Sequence, residues 1–278
     1  MSYVMHGRPL PAKTKYLFID GGCLRAFSER NAARYEGFSI EVLDWSKIAA
    51  GFEKVFYYDA PPARTSAESD ADFDARLRAS DALFNRMRLT PGFHVYEGDA
   101  RRRRGRVQQK KVDILIAVDM LTHAFRRNMD QAAILTADLD FKPLIDALVQ
   151  SGMDVTLWYP RGQPNAELVY AADRRRPLTY RDLFAWTSRE FGDAHPVPSA
   201  RSEPGSSVDG GVREDEWQTA SGESAVVYRV PSTGVFTVVF PSRANKHSNH
   251  HIRATHSDRA VLEQYVRECF EEFWDAPL

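Results

Sequence analysis

The sequence predicts an α/β fold built on a central, mostly parallel sheet, followed by a small C-terminal α+β module. Three observations carry this. Short, nearly continuous apolar runs recur along the first two thirds of the chain, and helix-length segments separate them. Strands buried on both faces of a parallel sheet read this way, whereas half-exposed strands alternate. The composition then changes sharply near residue 190, where large apolar residues give way to Pro, Ser, Gly and charge.

The elements follow in order. Residues 15–19, KYLFI, form a first strand that ends at Asp20, and Gly21-Gly22 mark a turn. Residues 54–58, KVFYY, form a second strand before the breaker Pro61-Pro62. Apolar residues between 71 and 88 recur at helical spacing, and FHVY at 93–96 is a third strand after Pro91-Gly92. DILIAVDMLTHAF, 113–125, is apolar enough for a mostly buried helix. AAILT at 132–136 is a fourth strand, 140–150 a helix closed by Gly152, and DVTLW at 154–158 a fifth strand. Asn165 is placed to cap a short helix ELVYAA, and one more helix is expected from Asp182 to Arg189. The domains expected are thus a tail at 1–14, an α/β domain at 15–190, a flexible linker at 191–222 and a module at 223–278. In the module, AVVYRV and VFTVVF flank PSTG as a hairpin, and a helix from about Asp258 follows with an apolar stripe running from Val261 to Trp274. About 55 residues make a small core, so docking on the first domain or pairing with a second copy is an open expectation.

Composition narrows the function classes. With 278 residues and 43% hydrophobic content the chain can build a real core. No apolar run reaches the length of a membrane span, and the start has no apolar centre of the secretory kind. The two cysteines, Cys23 and Cys269, form neither a disulfide framework nor a zinc motif and suit a reducing cytosol. The formal net charge is -1, so attraction to nucleic acid would have to come from a local patch. Such a patch exists: RRRRGRVQQKK, 101–111, holds Arg101, Arg102, Arg103, Arg104, Arg106, Lys110 and Lys111 without an acid. It reads either as a solvated loop or as an arm that tracks phosphates.

Acids gather at strand ends. Asp20 closes the first strand, Asp138 and Asp140 follow the fourth in ILTADLDF, and Asp113 opens the helix after the basic run. Ligands of open α/β sheets bind beyond the carboxyl ends of the strands. If strands one and four are neighbours, the four carboxylates converge. Two carboxylates about 4 Å apart repel by roughly 4 kcal/mol at an effective dielectric near 20. A close cluster therefore needs a cation, a basic side chain or protons, and oxygen-only ligands suit Mg²⁺ or Mn²⁺. Taken one at a time, Asp20, Asp113 and Asp140 could equally be turn or cap residues. Asp119, six residues beyond Asp113, falls on a different side of the helix. The histidine-bearing run 245–251 reads as a polar loop, because partner ligands at fixed spacing are missing. P-loop, GxSxG and HExxH motifs are absent from the sequence.

FIDGGCL (18–24), KKVDILIAVDML (110–121) and ILTADLDFKPLIDALVQSGMDV (134–155) together resemble the NYN family, a branch of the PIN-like metal-dependent ribonucleases, and its bacterial LabA-like members in particular. The resemblance spans roughly 15–190. It implies a Rossmann-like fold whose acidic pocket binds Mg²⁺ or Mn²⁺ and cleaves RNA, DNA not being excluded. By motif, Asp20, Asp113, Asp138 and Asp140 would be metal-binding acids and Asp119 a helper. In that family an asparagine usually stands three residues after the first aspartate; here the position is Cys23, whose thiol cannot supply an amide's hydrogen bonds. Two readings follow: a metal-dependent endoribonuclease, or an RNA- or protein-binding module with a degenerate pocket. A HAD-type phosphotransferase ranks last, since it needs its DxD on the first strand.

Overall fold

A computed structural model of the protein describes residues 13–32, 37–65, 67–98, 109–162, 165–218, 222–241 and 249–267. The chain divides into two compact units, 1–188 and 189–278.

The first unit runs β1 (Lys15–Asp20), α1 (Gly21–Ala32), α2 (Trp45–Ala49), β2 (Lys54–Asp59), α3 (Asp70–Arg88), β3 (Phe93–Glu97), α4 (Gln109–Phe125), β4 (Gln131–Leu135), α5 (Lys142–Gln150), β5 (Asp154–Pro160), α6 (Ala166–Ala171), β6 (Arg174–Leu178) and α7 (Tyr180–Ala185). All six strands are parallel, in the order β3-β2-β1-β4-β5-β6. The chain steps outward from β1 to β3, then crosses back to lay β4 on the other side of β1. This reversal is the switch point where doubly wound sheets open a crevice. It makes β1 and β4 neighbours, with Ile19 opposite Leu135.

Alternate strand residues feed two cores. Tyr16, Phe18, Phe56, Ile134 and Leu157 pack with Ile116, Met120, Leu144, Ile145 and Leu148 of α4 and α5. On the opposite face Leu17, Ile19 and Tyr57 are fully buried. Tyr57 meets Trp45 of α2 and Phe84 of α3, with ring centroids 6.0 and 6.1 Å away.

Three expectations change here. Gly21-Gly22 is no open turn, because α1 begins directly after β1. Gly21 is required there: a Cβ would lie 2.7 Å from the Tyr57 ring and from the Tyr58 carbonyl oxygen. Gly21→Ala is therefore expected to cost about 1–3 kcal/mol through overpacking, read as a lower midpoint in chemical denaturation. The helix carrying Asp113 is buried on one side only. Val112, Ile116 and Met120 are covered, while Ile114, Val118 and Phe125 are exposed. The helix expected over 182–189 instead starts at Tyr180, because Thr179 and Asp182 form a capping box that makes Asp182 the third residue. Strand β6 was not foreseen. Its arginines give no apolar signal, yet Arg174 pairs with Asp154 at 3.1 Å and Arg176 lies 4.1 Å over the Trp158 ring.

The second unit runs α8 (Arg189–Ala194), β7 (Ser199–Pro204), β8 (Val212–Gln218), β9 (Ser224–Val230), β10 (Val235–Pro241), β11 (His250–His256) and α9 (Arg259–Val266). Its strands form an antiparallel sheet in the order β7-β11-β10-β9-β8. The expected hairpin is β9–β10, and Asp258 caps α9 through the Ala260 and Val261 amides. The flexible linker expected at 191–222 is corrected: α8, β7 and β8 occupy most of it. Strands β7 and β8 are the two edges of a sheet, so their side chains are mostly exposed and polar. His250 and His251, expected in a polar loop, begin β11. Cys269, Phe270, Phe273 and Trp274 of the expected helical stripe lie outside the described residues. Among the described residues no helix is long and apolar enough to cross a membrane.

Candidate metal centre

The carboxyl ends of β2, β1 and β4 lie side by side, and each delivers an acid. Asp20 ends β1. Its Oδ1 accepts the Cys23 amide at 3.1 Å, which satisfies the start of α1, and its Oδ2 accepts the Thr136 hydroxyl at 2.9 Å. Thr136 is fully buried directly after β4. Its oxygen also accepts the Asp138 amide at 3.2 Å. One threonine thus ties the end of β1 to the loop after β4. Asp138 then caps the single 3-10 turn Leu139–Phe141, taking the Asp140 amide on Oδ1 at 2.9 Å. The capping role expected at Asp140 thus falls to Asp138, and it leaves lone pairs free, since each carboxylate oxygen carries two.

Asp113 sits in the first turns of α4 and faces the same group. Its pKa is raised to about 6 by burial, with the charges of Asp20, Asp138 and Asp140 adding to the effect. Asp20 is raised by burial too. The Cys23 and Thr136 hydrogen bonds oppose that shift, and the charges of Asp59 and Asp138 reinforce it. The four acids named from the sequence are therefore electrostatic neighbours. They are not a finished coordination shell: among the described residues no three acid, cysteine or histidine side chains stand close enough to grip an ion.

Asp119 stands apart. Its carboxylate accepts the Tyr58 hydroxyl at 2.8 Å, and it is not among the charges acting on Asp113. Arg101 to Arg104 and Arg106 lie outside the described residues. Lys110 and Lys111 belong to the first turn of α4, three and two residues before Asp113, and their side chains lie outside the description.

Sequence reasoning missed two participants. Asp59 ends β2 and is 2% exposed. It forms an ion pair with Arg25 and accepts from Tyr57 Oη at 2.9 Å and the Ala60 amide at 2.7 Å. The signal was present in YYDAPP, an acid closing a strand before a breaker, as at Asp20. Thr136 was visible only as the last residue of an apolar run.

Residues 25–179 match the NYN domain family model. The chain belongs to the NYN domain family, a PIN-like nuclease family. The matched stretch of the NYN domain contains Asp113, Asp119, Asp138 and Asp140, and Asp20 lies shortly before it. Membership carries a nuclease-like, RNA-related function, and NYN and PIN-like nucleases are generally dependent on divalent metals. A solved structure of a protein of unknown function from Vibrio parahaemolyticus is similar at 16% identity and a TM-score of 0.40, covering 60% of this chain and 93% of that one. Comparison with curated proteins gave no match.

Cys23, at the position where the resemblance led us to expect an asparagine, lies two residues before the stretch that matches the NYN model. Burial pushes its thiol up to about 12, and the charge of Asp20 adds to this, while a hydrogen bond from the Ala137 amide opposes it. The group is thus a neutral thiol at physiological pH in the metal-free protein. Thr136→Val keeps the volume and removes the hydroxyl. It should raise the Asp20 pKa further and cost about 1–2 kcal/mol by leaving a desolvated acceptor short of a donor, read by thermal unfolding.

Proposed function

We propose that the NYN domain is a metal-dependent endoribonuclease. The observation that carries this reading is the unbalanced acid cluster, in which Asp20 and Asp113 are both raised by burial and by like charges around them. Such a cluster lowers its free energy by taking a cation. The four acids offer carboxylate oxygens as donors, and oxygen donors suit Mg²⁺ or Mn²⁺. Asp20, Asp113, Asp138 and Asp140 would hold the ion. The chemistry supplied when it is bound is activation of water and stabilisation of charge on a phosphodiester.

The chain's own residues set up the rest. Thr136 and the Cys23 amide fix the Asp20 carboxylate. The Asp140 amide fixes Asp138. Asp59 does not compete for a cation, because Arg25 neutralises it. Asp119 would act only through Tyr58. Arg101 to Arg104, Arg106, Lys110 and Lys111 would hold the RNA backbone beside Asp113, giving affinity without sequence preference. End-labelled single-stranded RNA should be cut by the full chain with Mg²⁺ or Mn²⁺ and left whole with EDTA. Cutting that persists in EDTA contradicts the reading.

The second reading, a binding module with a degenerate pocket, is favoured by Cys23 alone. It predicts salt-sensitive RNA binding that needs the 101–111 run, with no turnover under any metal.

A further inference from the structure

We propose that the antiparallel sheet of the C-terminal unit carries a phosphate-binding site formed by Arg201 and Arg253. Strands β7 and β11 pair so that Arg253 lies directly opposite Arg201 and Thr255 opposite Ser199. Strand β10 sets Thr237 opposite Thr255. All five residues line one cleft of about 330 Å³, with Glu203 on its wall. This volume suits a small ligand.

The charges do not balance without one. Like charges directly opposite each other oppose strand pairing, and Glu203 is the one acid among the described lining residues. Its carboxylate lies 3.2 Å from Arg253 Nη1, and Arg253 Nη2 donates to the Pro204 and Gly205 carbonyl oxygens, each at 3.2 Å. Arg253 is thereby fixed in place while its buried Nε keeps no partner. Arg201 forms no ion pair or hydrogen bond among the described residues, so one full positive charge is unanswered.

Unused hydroxyls stand beside the arginines. Thr237 is 4% exposed, and its hydroxyl has no partner among the described residues. Ser199 Oγ and Thr255 Oγ1 are 2.8 Å apart, a bond that uses one of their two hydrogens and leaves the other to donate. Donors thus come from three strands around a net positive cleft. A planar carboxylate would engage one arginine fork, whereas the several oxygens of a phosphate can use donors from all three directions. The phosphate could belong to a nucleic-acid backbone or to a free nucleotide.

The test uses the full chain in EDTA, so that cleavage plays no part and failure here is separate from failure of the nuclease reading. Three probes are titrated: inorganic phosphate, adenosine monophosphate and a labelled single-stranded oligoribonucleotide. Arg201 is exposed, so Arg201→Ala should fold normally, which unchanged thermal unfolding checks. It should weaken the bound probe about tenfold and lower the slope of log affinity against log salt by about one. Glu203→Gln should tighten binding about threefold and Thr237→Val weaken it by a similar factor. Response confined to the oligonucleotide identifies a nucleic-acid backbone. The same response with the monophosphate identifies a free nucleotide. Equal affinity of the wild type and Arg201→Ala for all three probes overturns the site.

Discussion

Replacing Asp138 by asparagine is expected to lower RNA cleavage on the order of a thousandfold while leaving RNA affinity near the wild-type value. Asparagine keeps the cap on the turn Leu139–Phe141, since its side-chain oxygen can still accept the Asp140 amide at the position now held by Oδ1. What it removes is one full negative charge from the group formed with Asp20, Asp113 and Asp140. Loss of a charged ligand removes several kcal/mol of transition-state stabilisation, and about 4 kcal/mol corresponds to three decades in rate. Binding should survive because the proposed backbone contacts come from the basic run 101–111, not from the acids. Single-turnover cleavage and filter binding on the same preparations separate the two. Full activity in this variant would remove Asp138 from the chemistry.

Asp113→Asn has two expected effects of opposite sign. Cleavage falls, for the same reason as at Asp138. Stability of the metal-free protein rises at neutral pH. The sign follows from the shift. In the folded protein Asp113 titrates near 6, raised by burial and then by Asp20, Asp138 and Asp140, against 3.8 for the ordinary group. Between those two values the folded state keeps a proton that the unfolded chain has released. Stability therefore falls as pH rises from about 4 to about 6, and the penalty is complete at pH 7. The carboxyl is partly solvated, so solvent screening reduces the cost to on the order of 1 kcal/mol. Asparagine carries no such penalty. The variant should melt about 2–4 °C above the wild type at pH 7 without metal, and the gain should vanish near pH 4. A variant that lost activity through misfolding would show the reverse. Equal melting temperatures at pH 7 would mean that Asp113 is not under repulsion from its neighbours.

The sheet was legible where its strands were. KYLFI, KVFYY, AAILT and DVTLW are continuous apolar runs because β1, β2, β4 and β5 are covered on both faces, and burial of that kind leaves no alternative pattern. Asp20, Asp138 and Asp140 stood out because they follow such runs, and a charge at the edge of a buried strand demands a reason; Asp113 stood out only as the acid that follows the basic run. Adjacency of β1 and β4 was not legible, since strand order depends on crossovers that no local pattern encodes. The elements that went unseen share one cause: their stabilising contacts lie elsewhere in the chain. Strand β6 reads as RRRPL, and is held by Trp158, Asp154 and Asp182. Strands β7 and β8 read as linker, because edge strands of a sheet have little apolar content of their own. Helix α1 begins at a Gly-Gly pair, which signals a turn in isolation; the close approach of Tyr57 and the Asp20 cap explain it only after folding. Asp59 was passed over although it closes β2 as Asp20 closes β1, and its pairing with Arg25 shows why two acids in like positions can have unlike roles.

The central claim is that the carboxylates at the ends of β1 and β4 and on α4 hold a divalent cation. The most direct measurement is Mn²⁺ binding to the full chain at pH 7, followed by the electron paramagnetic resonance of the free ion. The account predicts stoichiometric uptake of at least one Mn²⁺ per chain, accompanied by a rise in melting temperature, with both lost in Asp138→Asn and in Asp20→Asn. Uptake that persists unchanged in both variants, or no uptake by the wild type, would contradict it.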